Sequence, residues 1–447
     1  MKSPELLSPA GSLKAMRYAF AYGADAVYAG QPRYSLRVRN NEFNDIEKLG
    51  SAVEEAHSHG KQFFIASNVS PHNDKLKYYL RDMEPVVAMK PDAIIMADPG
   101  LIMMVRERWP DLPIHLSVQS NAVNWATVKF WQKLGLTRII LSRELSLDEV
   151  KEIREQCPDI ELEVFVHGAL CIAYSGRCLL SGYITHRDSN QGACTNTCRW
   201  KYQAHEAAED ANGDVVALHD PKTETSEQIF LLQESGRPGD LMPAFEDEHG
   251  TYIMNSKDLR AIQHVKSLVE IGIDCLKIEG RTKSPYYVAR TAQTYRRAIN
   301  DAIAGRDFDM SLMNELEKLA SRGYTEGFYR RHPPAEFQNY EKGVSRGDYQ
   351  QFVGEILEVD RVHQELVISV NNRFEQGDKL ELMTPSGNWD FTLQQMTNKR
   401  GEQIAVAPGS GHVVRIPIPA GANLNSCDYA MLARYLPDYQ ASSAKVG

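Results

Sequence analysis

Four cysteines are concentrated in one short stretch of the sequence, although the 447-residue chain contains only seven. Six, fifteen and three residues separate them, and glycines lie between them. Glycine permits tight loops that bring backbone N–H groups close to bound sulfur, and thiolates are common protein ligands of zinc and of iron–sulfur clusters. The stretch is therefore predicted to hold a metal ion or a cluster. Its four candidate ligands are Cys171, Cys178, Cys194 and Cys198.

The cysteine spacing favours a 4Fe-4S cluster over zinc. Structural zinc sites usually use two short Cys-x-x-Cys pairs, and only Cys194 and Cys198 approach that spacing. Arg177 and Arg199 adjoin cysteines and would offset the negative charge of a four-thiolate cluster. A zinc site and a group of ordinary buried thiols are the two alternatives. The cysteines outside this stretch are expected to be buried thiols: Cys157, Cys275 and Cys427.

Alternating strands and helices must position this stretch. In the first 170 residues, short apolar runs alternate with amphipathic segments, which is the pattern of parallel β/α units. The alternation stops between residues 168 and 256 and then resumes with a helix at Asp258–Glu270, a strand at Cys275–Ile278 and a helix at Pro285–Ala304. The seven earlier strands are predicted at Glu5–Leu7, Ala26–Ala29, Gln62–Ala66, Ala93–Ala97, Ile114–Val118, Arg138–Leu141 and Leu162–Val166.

Eight such strands indicate an α/β fold, with a (β/α)8 TIM-barrel-like domain at residues 1–335 and an iron–sulfur insertion at 168–256 after strand seven. An open doubly wound sheet is the alternative, but no Gly-x-Gly-x-x-Gly turn follows the first strand. Residues 336–348 are predicted to be a linker, and residues 349–440 a small C-terminal β-barrel domain. Its strands are predicted at Phe352–Leu357, Glu365–Val370, Lys379–Met383, Thr392–Gln395, Ile404–Ala407 and His412–Ile416.

Polar residues follow most of the barrel strands, where barrel enzymes carry their chemistry. Arg143, Lys277 and Arg281 fit the binding of a carboxylate or a phosphate. Glu144 and Glu279 would hold these cations or act as acid–base groups. Anchoring of loops is the alternative role for each of them. A sixth candidate, which directly precedes the cysteine segment, is His167; the other polar residues at strand ends are Tyr28, Asn68, Asp98, Gln119 and Ser120.

Charge and hydropathy restrict the location and the partners of the chain. A net charge of -9 excludes a uniformly basic nucleic-acid binder but allows a local basic surface. Residues 277–346 are rich in Lys and Arg with interleaved tyrosines, which would suit phosphate contacts and base stacking. A solvated helix face with ordinary ion pairs is the alternative. The N-terminus lacks the apolar core of a secretory signal, and no run of about twenty apolar residues occurs, so a cytoplasmic protein without a membrane span is expected.

Ten residues around the first two cysteines resemble the signature of the collagenase-like U-peptidase family, and the later segment GACTNTCRWKY is similar to the branch of that family that hydroxylates tRNA. The resemblance implies a 4Fe-4S cluster on the four cysteines, with prephenate as co-substrate and tRNA as substrate. The implied reaction is an oxygen-independent hydroxylation of the wobble uridine to 5-hydroxyuridine, the first step toward 5-carboxymethoxyuridine. An electron donor and a second family member are further implied partners. The ten residues are Glu163, Phe165, Gly168, Ala169, Leu170, Cys171, Ser175, Gly176, Cys178 and Ser181.

Two other functions are weighed against this one. The family's older label implies a peptidase, but the sequence contains neither His-Glu-x-x-His nor Gly-x-Ser-x-Gly. A single catalytic cysteine paired with His167 would be its remaining form. The third function is that of a cluster-carrying partner in a hydroxylase complex. The extra C-terminal domain favours the tRNA branch over that one.

Overall fold

The computed structural model describes residues 2–36, 42–170, 257–321, 323–330, 349–422 and 426–436, together with the backbone of five short strands between residues 207 and 252. In the part of the chain up to residue 330, the strands are β1 Glu5–Pro9, β2 Ala26–Gly30, β3 Gln62–Ser67, β4 Ala93–Met96, β5 Ile114–Leu116, β6 Arg138–Ile140, β7 Glu161–Ala169, β8 Ala207–Glu209, β9 Val215–Ala217, β10 Ile229–Gln233, β11 Leu241–Asp247, β12 Gly250–Tyr252, β13 Asp258–Arg260, β14 Cys275–Ile278 and β15 Tyr324–Thr325. The α-helices are α1 Leu13–Ala21, α2 Ile46–Ser58, α3 Asn73–Ala88, α4 Pro99–Arg108, α5 Trp125–Lys133, α6 Leu147–Gln156, α7 Val265–Ile271, α8 Pro285–Ile303 and α9 Ser311–Glu317.

Eight parallel strands form a closed barrel. Strands β1 to β7 are neighbours in chain order, and β14 pairs with both β1 and β7, which closes the ring. Their apolar side chains are buried in one core with those of the surrounding helices. The predicted TIM-barrel-like domain is confirmed.

Short polar residues begin most of the helices that surround the barrel. Ser12, Asp98 and Asn124 each accept a hydrogen bond from a backbone N–H in the first turn of the following helix. Ser146 and Glu149 form a reciprocal capping box at the start of α6. These caps fix where each helix begins, and so the length of the loop that follows each strand.

The predicted helix at Asp258–Glu270 is wrong over its first residues. Asp258, Leu259 and Arg260 form β13, which pairs antiparallel with the last residues of β7, and α7 begins only at Val265. Backbone hydrogen bonds to β7 replace a helical start. The pairing places Asp258 beside Ala169, so the insertion leaves and re-enters the barrel at neighbouring points.

The C-terminal domain is built on a seven-stranded antiparallel sheet, which confirms the predicted β domain. The strand predicted at Thr392–Gln395 is displaced. The observed strand, Gly387–Thr392, forms a hairpin with Lys379–Thr384, and Leu393 turns away into the core of the domain. The predicted linker at 336–348 lies outside the described residues. The strands are β16 Gln350–Asp360, β17 Glu365–Val370, β18 Phe374–Glu375, β19 Lys379–Thr384, β20 Gly387–Thr392, β21 Thr397–Asn398, β22 Val406–Ala407, β23 Val413–Pro417 and β24 Met431–Tyr435.

The two domains share a buried interface. Met383 and Met431 of the sheet belong to the barrel's hydrophobic core. The fully buried Arg290 of α8 donates to Glu381 of β19 and to Gln350 of β16, and it also pairs with Glu315 of the barrel domain at 2.6 Å. Both partners from the sheet are themselves buried, so the ion pair joins the domains away from solvent.

Among the described residues, no helix is long and apolar enough to cross a bilayer.

Candidate active site at the C-terminal end of the barrel

A cavity of about 120 Å³ lies at the carboxyl ends of the barrel strands. Its wall combines cationic, amide, hydroxyl, aromatic and aliphatic side chains, as expected of a small-molecule site. Each of the eight barrel strands except β1 contributes to the wall, either directly or through the loop that follows it. The lining residues are Tyr28, Leu36, Ala66, Asn68, Ile95, Ser117, Val118, Gln119, Ile140, Arg143, Phe165, Lys277, Glu279 and Arg281.

Three cations in the wall lie against two aromatic rings. The Arg143 guanidinium lies 4.1 Å from the ring centroid of Phe165. The Lys277 ammonium lies 4.4 Å from the Tyr28 ring and 5.4 Å from the Phe165 ring, and the Arg281 guanidinium lies 5.6 Å from the Tyr28 ring. Such contacts stabilise a cation and restrict its position. The arrangement is suited to an anionic ligand.

Lys277 belongs to a chain of ion pairs inside the barrel. Its Nζ donates to Glu163 Oε1 at 2.7 Å, and Glu163 Oε2 lies 3.4 Å from Arg138 Nη1. Arg138 in turn pairs with Glu5 at 2.7 Å. Glu163 is completely buried and Lys277 is 3 % exposed, so each charge depends on its partners for solvation. The chain fixes Lys277 at the floor of the cavity.

Glu279 and Arg281 are held by loops that pack tightly at the rim. The Tyr28 hydroxyl lies 2.9 Å from Glu279 Oε2, and burial raises the pKa of Tyr28 well above its usual value, so the phenol stays protonated. Arg281 Nη1 donates to Ser35 Oγ at 2.9 Å. Arg143 Nη1 donates at 2.6 Å to the carbonyl of Ala169, the last residue of β7. The cavity therefore adjoins the segment from which the cysteines follow.

Four of the six predicted site residues meet in this cavity, namely Arg143, Lys277, Glu279 and Arg281. Glu144 accepts a hydrogen bond from Ser142 Oγ and does not line the cavity. The predicted ligands Cys171, Cys178, Cys194 and Cys198 lie outside the described residues. Elsewhere in the described chain, no group of three or more His, Cys, Asp or Glu residues is arranged to hold a metal ion.

His167 lies behind the cavity wall, among tyrosines. Its ring centroid is 5.6 Å from that of Tyr295 and 5.8 Å from that of Tyr287, and the residue is 1 % exposed. Burial lowers the pKa of His167 to about 3, so the imidazole is neutral at physiological pH. The structure thus places this candidate in a packed aromatic environment rather than in the cavity.

The other polar residues at strand ends divide between the cavity and the loops. Asp98 caps α4, and Ser120 Oγ donates to the carbonyl of Ala97 at 2.9 Å, so both anchor loops. The isolated Cys157 and Cys275 are buried as predicted, and burial raises the pKa of each thiol. The prediction is wrong for Cys427, which is only half-buried because it lies in a loop at the edge of the C-terminal domain.

Base stacking by the tyrosines after Lys277, one of the two interpretations of this stretch, does not hold for three of them. Tyr286, Tyr287 and Tyr295 are buried on the inner face of α8, where they pack against the barrel. Lys318 is buried too and pairs with Glu315 and Glu381. Sequence composition does not reveal that these three tyrosines and Lys318 are buried, whereas Arg297 and Arg306 of the same stretch are exposed.

Sequence reasoning missed two residues of the site, Glu163 and Phe165. Both lie in β7, and both had been noted only as part of a family signature. The available signal was a glutamate inside an otherwise apolar strand, because a buried carboxylate requires a buried cationic partner. Lys277, in the apolar strand β14, is the matching signal.

Gly168 allows a close backbone contact at the rim, and Gly168→Ala is expected to destabilise the fold by about 2–4 kcal/mol. Its φ is +107°, and an added Cβ would lie 2.5 Å from the carbonyl oxygen of Glu279. Gly60→Ala is the matched control, because Gly60 has a φ of +65° but open space around the added Cβ. Urea denaturation of both variants measures the difference. Equal destabilisation would show that the contact with Glu279 costs nothing.

Comparison with known proteins places the chain in a family. The profile of peptidase family U32 matches residues 11–339, and that of the family's C-terminal domain matches residues 348–434. The tRNA hydroxylation protein P of Escherichia coli (strain K12) is 61% identical over 445 residues, which cover 97% of each chain. The protein of the same name from Haemophilus influenzae is 59% identical over 97% of this chain and 96% of the relative. The 23S rRNA 5-hydroxycytidine C2501 synthase of Escherichia coli is 29% identical over 94% of this chain and 59% of the relative. The chain belongs to peptidase family U32.

Proposed function

We propose that this protein is an enzyme that hydroxylates tRNA at the wobble uridine and forms 5-hydroxyuridine, the first intermediate toward 5-carboxymethoxyuridine. The observation that carries the proposal is the 61% identity, over 97% of both chains, to a protein named for tRNA hydroxylation. Among the described residues, the cavity lining contains no serine–histidine or cysteine–histidine pair of the kind that a serine or cysteine peptidase uses. tRNA modification implies work in the cytoplasm.

The co-substrate of this proposal is prephenate. Prephenate carries two carboxylates, and the cavity presents three cations, Arg143, Lys277 and Arg281, at its wall. Guanidinium groups bind carboxylates through two parallel hydrogen bonds. Lys277 is already paired with Glu163, so the two arginines would make most of the contact with the ligand.

A 4Fe-4S cluster on Cys171, Cys178, Cys194 and Cys198 is the proposed cofactor. A cluster held by these four thiolates would supply electron transfer. The chain's own contribution is positional: Arg143 joins the cavity wall to Ala169, two residues before Cys171 in the sequence. The proposed cluster segment thus begins beside the proposed co-substrate site.

Anaerobic purification followed by iron and acid-labile sulfide assay tests the cofactor. About four iron atoms and four sulfides per chain are expected. Changing any one of the four predicted ligands to alanine is expected to lower the iron content of the protein. Cys427→Ala is the matched control, since Cys427 lies in the C-terminal domain and should leave the iron content unchanged. A colourless protein with zinc or no metal would contradict the proposal.

The same preparation is then incubated with tRNA from cells that lack the protein, with and without prephenate. We expect 5-hydroxyuridine in the tRNA hydrolysate, by mass spectrometry, only when prephenate is present. Formation of 5-hydroxyuridine without prephenate would support the proposed hydroxylase activity but contradict the role of prephenate as co-substrate. Cleavage of casein or gelatin that persists through purification would favour the peptidase instead.

A further inference from the structure

The cavity has two chemically different sides, and the proposed co-substrate uses only one of them. The cations come from the loop after β6 and from β14 with its following loop. The side formed by the ends of β3 and β5 carries neutral groups, Asn68, Ser117 and Gln119. A neutral hydrogen-bonding wall opposite a cationic one indicates a second ligand group of different chemistry.

Asn68 presents a hydrogen-bond donor to this side. Its Oδ1 accepts from the backbone N–H of Leu36 at 3.4 Å, which identifies the oxygen and therefore the amide nitrogen. No acceptor among the described residues lies within hydrogen-bond distance of Asn68 Nδ2. The side chain is only 9 % exposed, and it borders the cavity. Its two N–H groups are therefore available to a ligand.

Gln119 presents a second donor by the same logic. Ser117 Oγ accepts from the backbone N–H of Gln119 at 3.5 Å, so the hydroxyl hydrogen is free to donate to Gln119 Oε1, 3.3 Å away. The amide oxygen is thereby engaged, and in the described part of the chain no acceptor reaches Nε2. The amide oxygens of Asn68 and Gln119 thus both accept hydrogen bonds within the protein. Their two amide nitrogens remain as donors on the neutral side.

Two donors without a competing acceptor match a ring that carries carbonyl oxygens. Uracil has carbonyls at C2 and C4, whereas cytosine carries an amino donor at C4. A cavity of about 120 Å³ has room for on the order of eight to ten water-sized groups, which is enough for a single pyrimidine ring extracted from its stack. The ring would take up nearly all of this volume, so the co-substrate would extend from the cationic side out of the cavity. Ile95 and Val118 provide apolar surface beside the donors.

We propose that Asn68 and Gln119 bind the carbonyl oxygens of the target base and thereby select uridine over cytidine. The inference rests on the proposed hydroxylation of tRNA and assigns the residues that determine its base specificity. With cytidine, the amino group at C4 would face an amide N–H, so two donors would meet and both would stay unpaired in a buried site. We expect a preference for uridine of about 10- to 100-fold from these contacts.

The test compares two variants with a matched control. Asn68→Asp keeps the oxygen that accepts from Leu36 but replaces the donor with an acceptor. Gln119→Met removes the amide without adding charge. Ser120→Ala is the control, because the Ser120 hydroxyl donates to Ala97 near the same strand end and does not line the cavity. Thermal denaturation confirms that each variant is folded.

The first readout is hydroxylation of two tRNA transcripts that differ only in U or C at the wobble position. The U-to-C ratio of rates is expected to fall at least about 10-fold in the variant whose residue faces the C4 carbonyl and to stay unchanged in Ser120→Ala. The variant whose residue faces the C2 carbonyl, which both bases carry, should slow both transcripts alike. The second readout is the binding of uridine and cytidine 5′-monophosphate to the full chain, measured by saturation-transfer NMR. The parent should favour the uridine nucleotide, and the variant at the C4 position should lose that preference.

The outcomes separate this inference from the proposed function. If folded Asn68→Asp and Gln119→Met keep the parent's U-to-C ratio, or if the parent binds the cytidine nucleotide equally well, the base-reading role is overturned. If the parent hydroxylates no tRNA but its preference for the uridine nucleotide depends on Asn68 or Gln119, the base-reading role is supported and the proposed hydroxylase function is contradicted.

Discussion

Lys277→Met is expected to lower kcat/KM for tRNA hydroxylation by about 100-fold and to destabilise the protein by about 3 kcal/mol. The first effect follows because the cavity loses a cation that lies between Tyr28 and Phe165. The second follows because Glu163, which is fully buried, keeps only Arg138 as a charged partner. Steady-state kinetics and urea denaturation measure the two effects separately.

A double variant distinguishes the role of Lys277 in the site from its role in the core. In Glu163→Gln/Lys277→Met both charges of the pair are absent, so no carboxylate is left unpaired, and Arg138 retains Glu5 at 2.7 Å. We expect most of the lost stability to return while kcat/KM stays low. Recovery of activity together with stability would show that Lys277 acts only as a structural partner of Glu163.

Arg290→Met is expected to destabilise the protein by about 3–5 kcal/mol, because it leaves buried carboxylates at the interface between the domains. Arg290 has no exposed surface, and its Nη1 lies 3.0 Å from Glu381 Oε1 and 2.6 Å from Glu315 Oε2. Arg297→Met is the control on the same helix, since Arg297 is half exposed and pairs with Asp309 at only 3.6 Å. The control should lose less than about 1 kcal/mol. Similar losses in both variants would contradict a special role for the buried pair.

The same interface predicts a dependence of stability on pH. Burial alone would raise the pKa of Glu381, but the charge and hydrogen bonds of Arg290, together with Lys318, lower it to about 2. A carboxyl whose pKa is lower in the folded state contributes its full stability above its unfolded pKa. This contribution should therefore be complete above about pH 4.5 and disappear as the pH falls toward 2. Melting temperatures across this interval should decline less steeply for Glu381→Gln than for the parent.

The barrel was predictable because its strands carry a strong local signal. Buried parallel strands are short apolar runs, and the predicted strand Cys275–Ile278 matches the observed bounds. The cations of the cavity were predictable for the same reason, since Arg143 and Arg281 directly follow strands and chain order places strand ends at one face. Local sequence thus determined both the architecture and the face that carries the candidate site.

Long-range pairings were not predictable in the same way. Glu163 and Lys277 meet only because β14 closes the barrel against β7. Met431–Tyr435, which was not predicted to be a strand, lies in the middle of the C-terminal sheet, where β16 and β19 supply its hydrogen bonds. Both interpretations of residues 277–346, a basic surface and a solvated helix face, place Arg290 in solvent, and only the docking of β19 makes it a buried residue. In each case the partner is distant in sequence, and local pattern carries no information about it.

The pairing of β13 with the end of β7 has a consequence for how this protein can change over evolution. Asp258 and Ala169 lie side by side, so the chain leaves the barrel and returns to it through a stem that is already closed. The entropic cost of a longer loop grows only with the logarithm of its length, about 0.6 kcal/mol for each doubling. Segments can therefore be gained, exchanged or lost between these two residues with little effect on the barrel. The stem makes this rim a natural acceptor for new modules, and we expect it to tolerate a foreign domain grafted in place of the insertion.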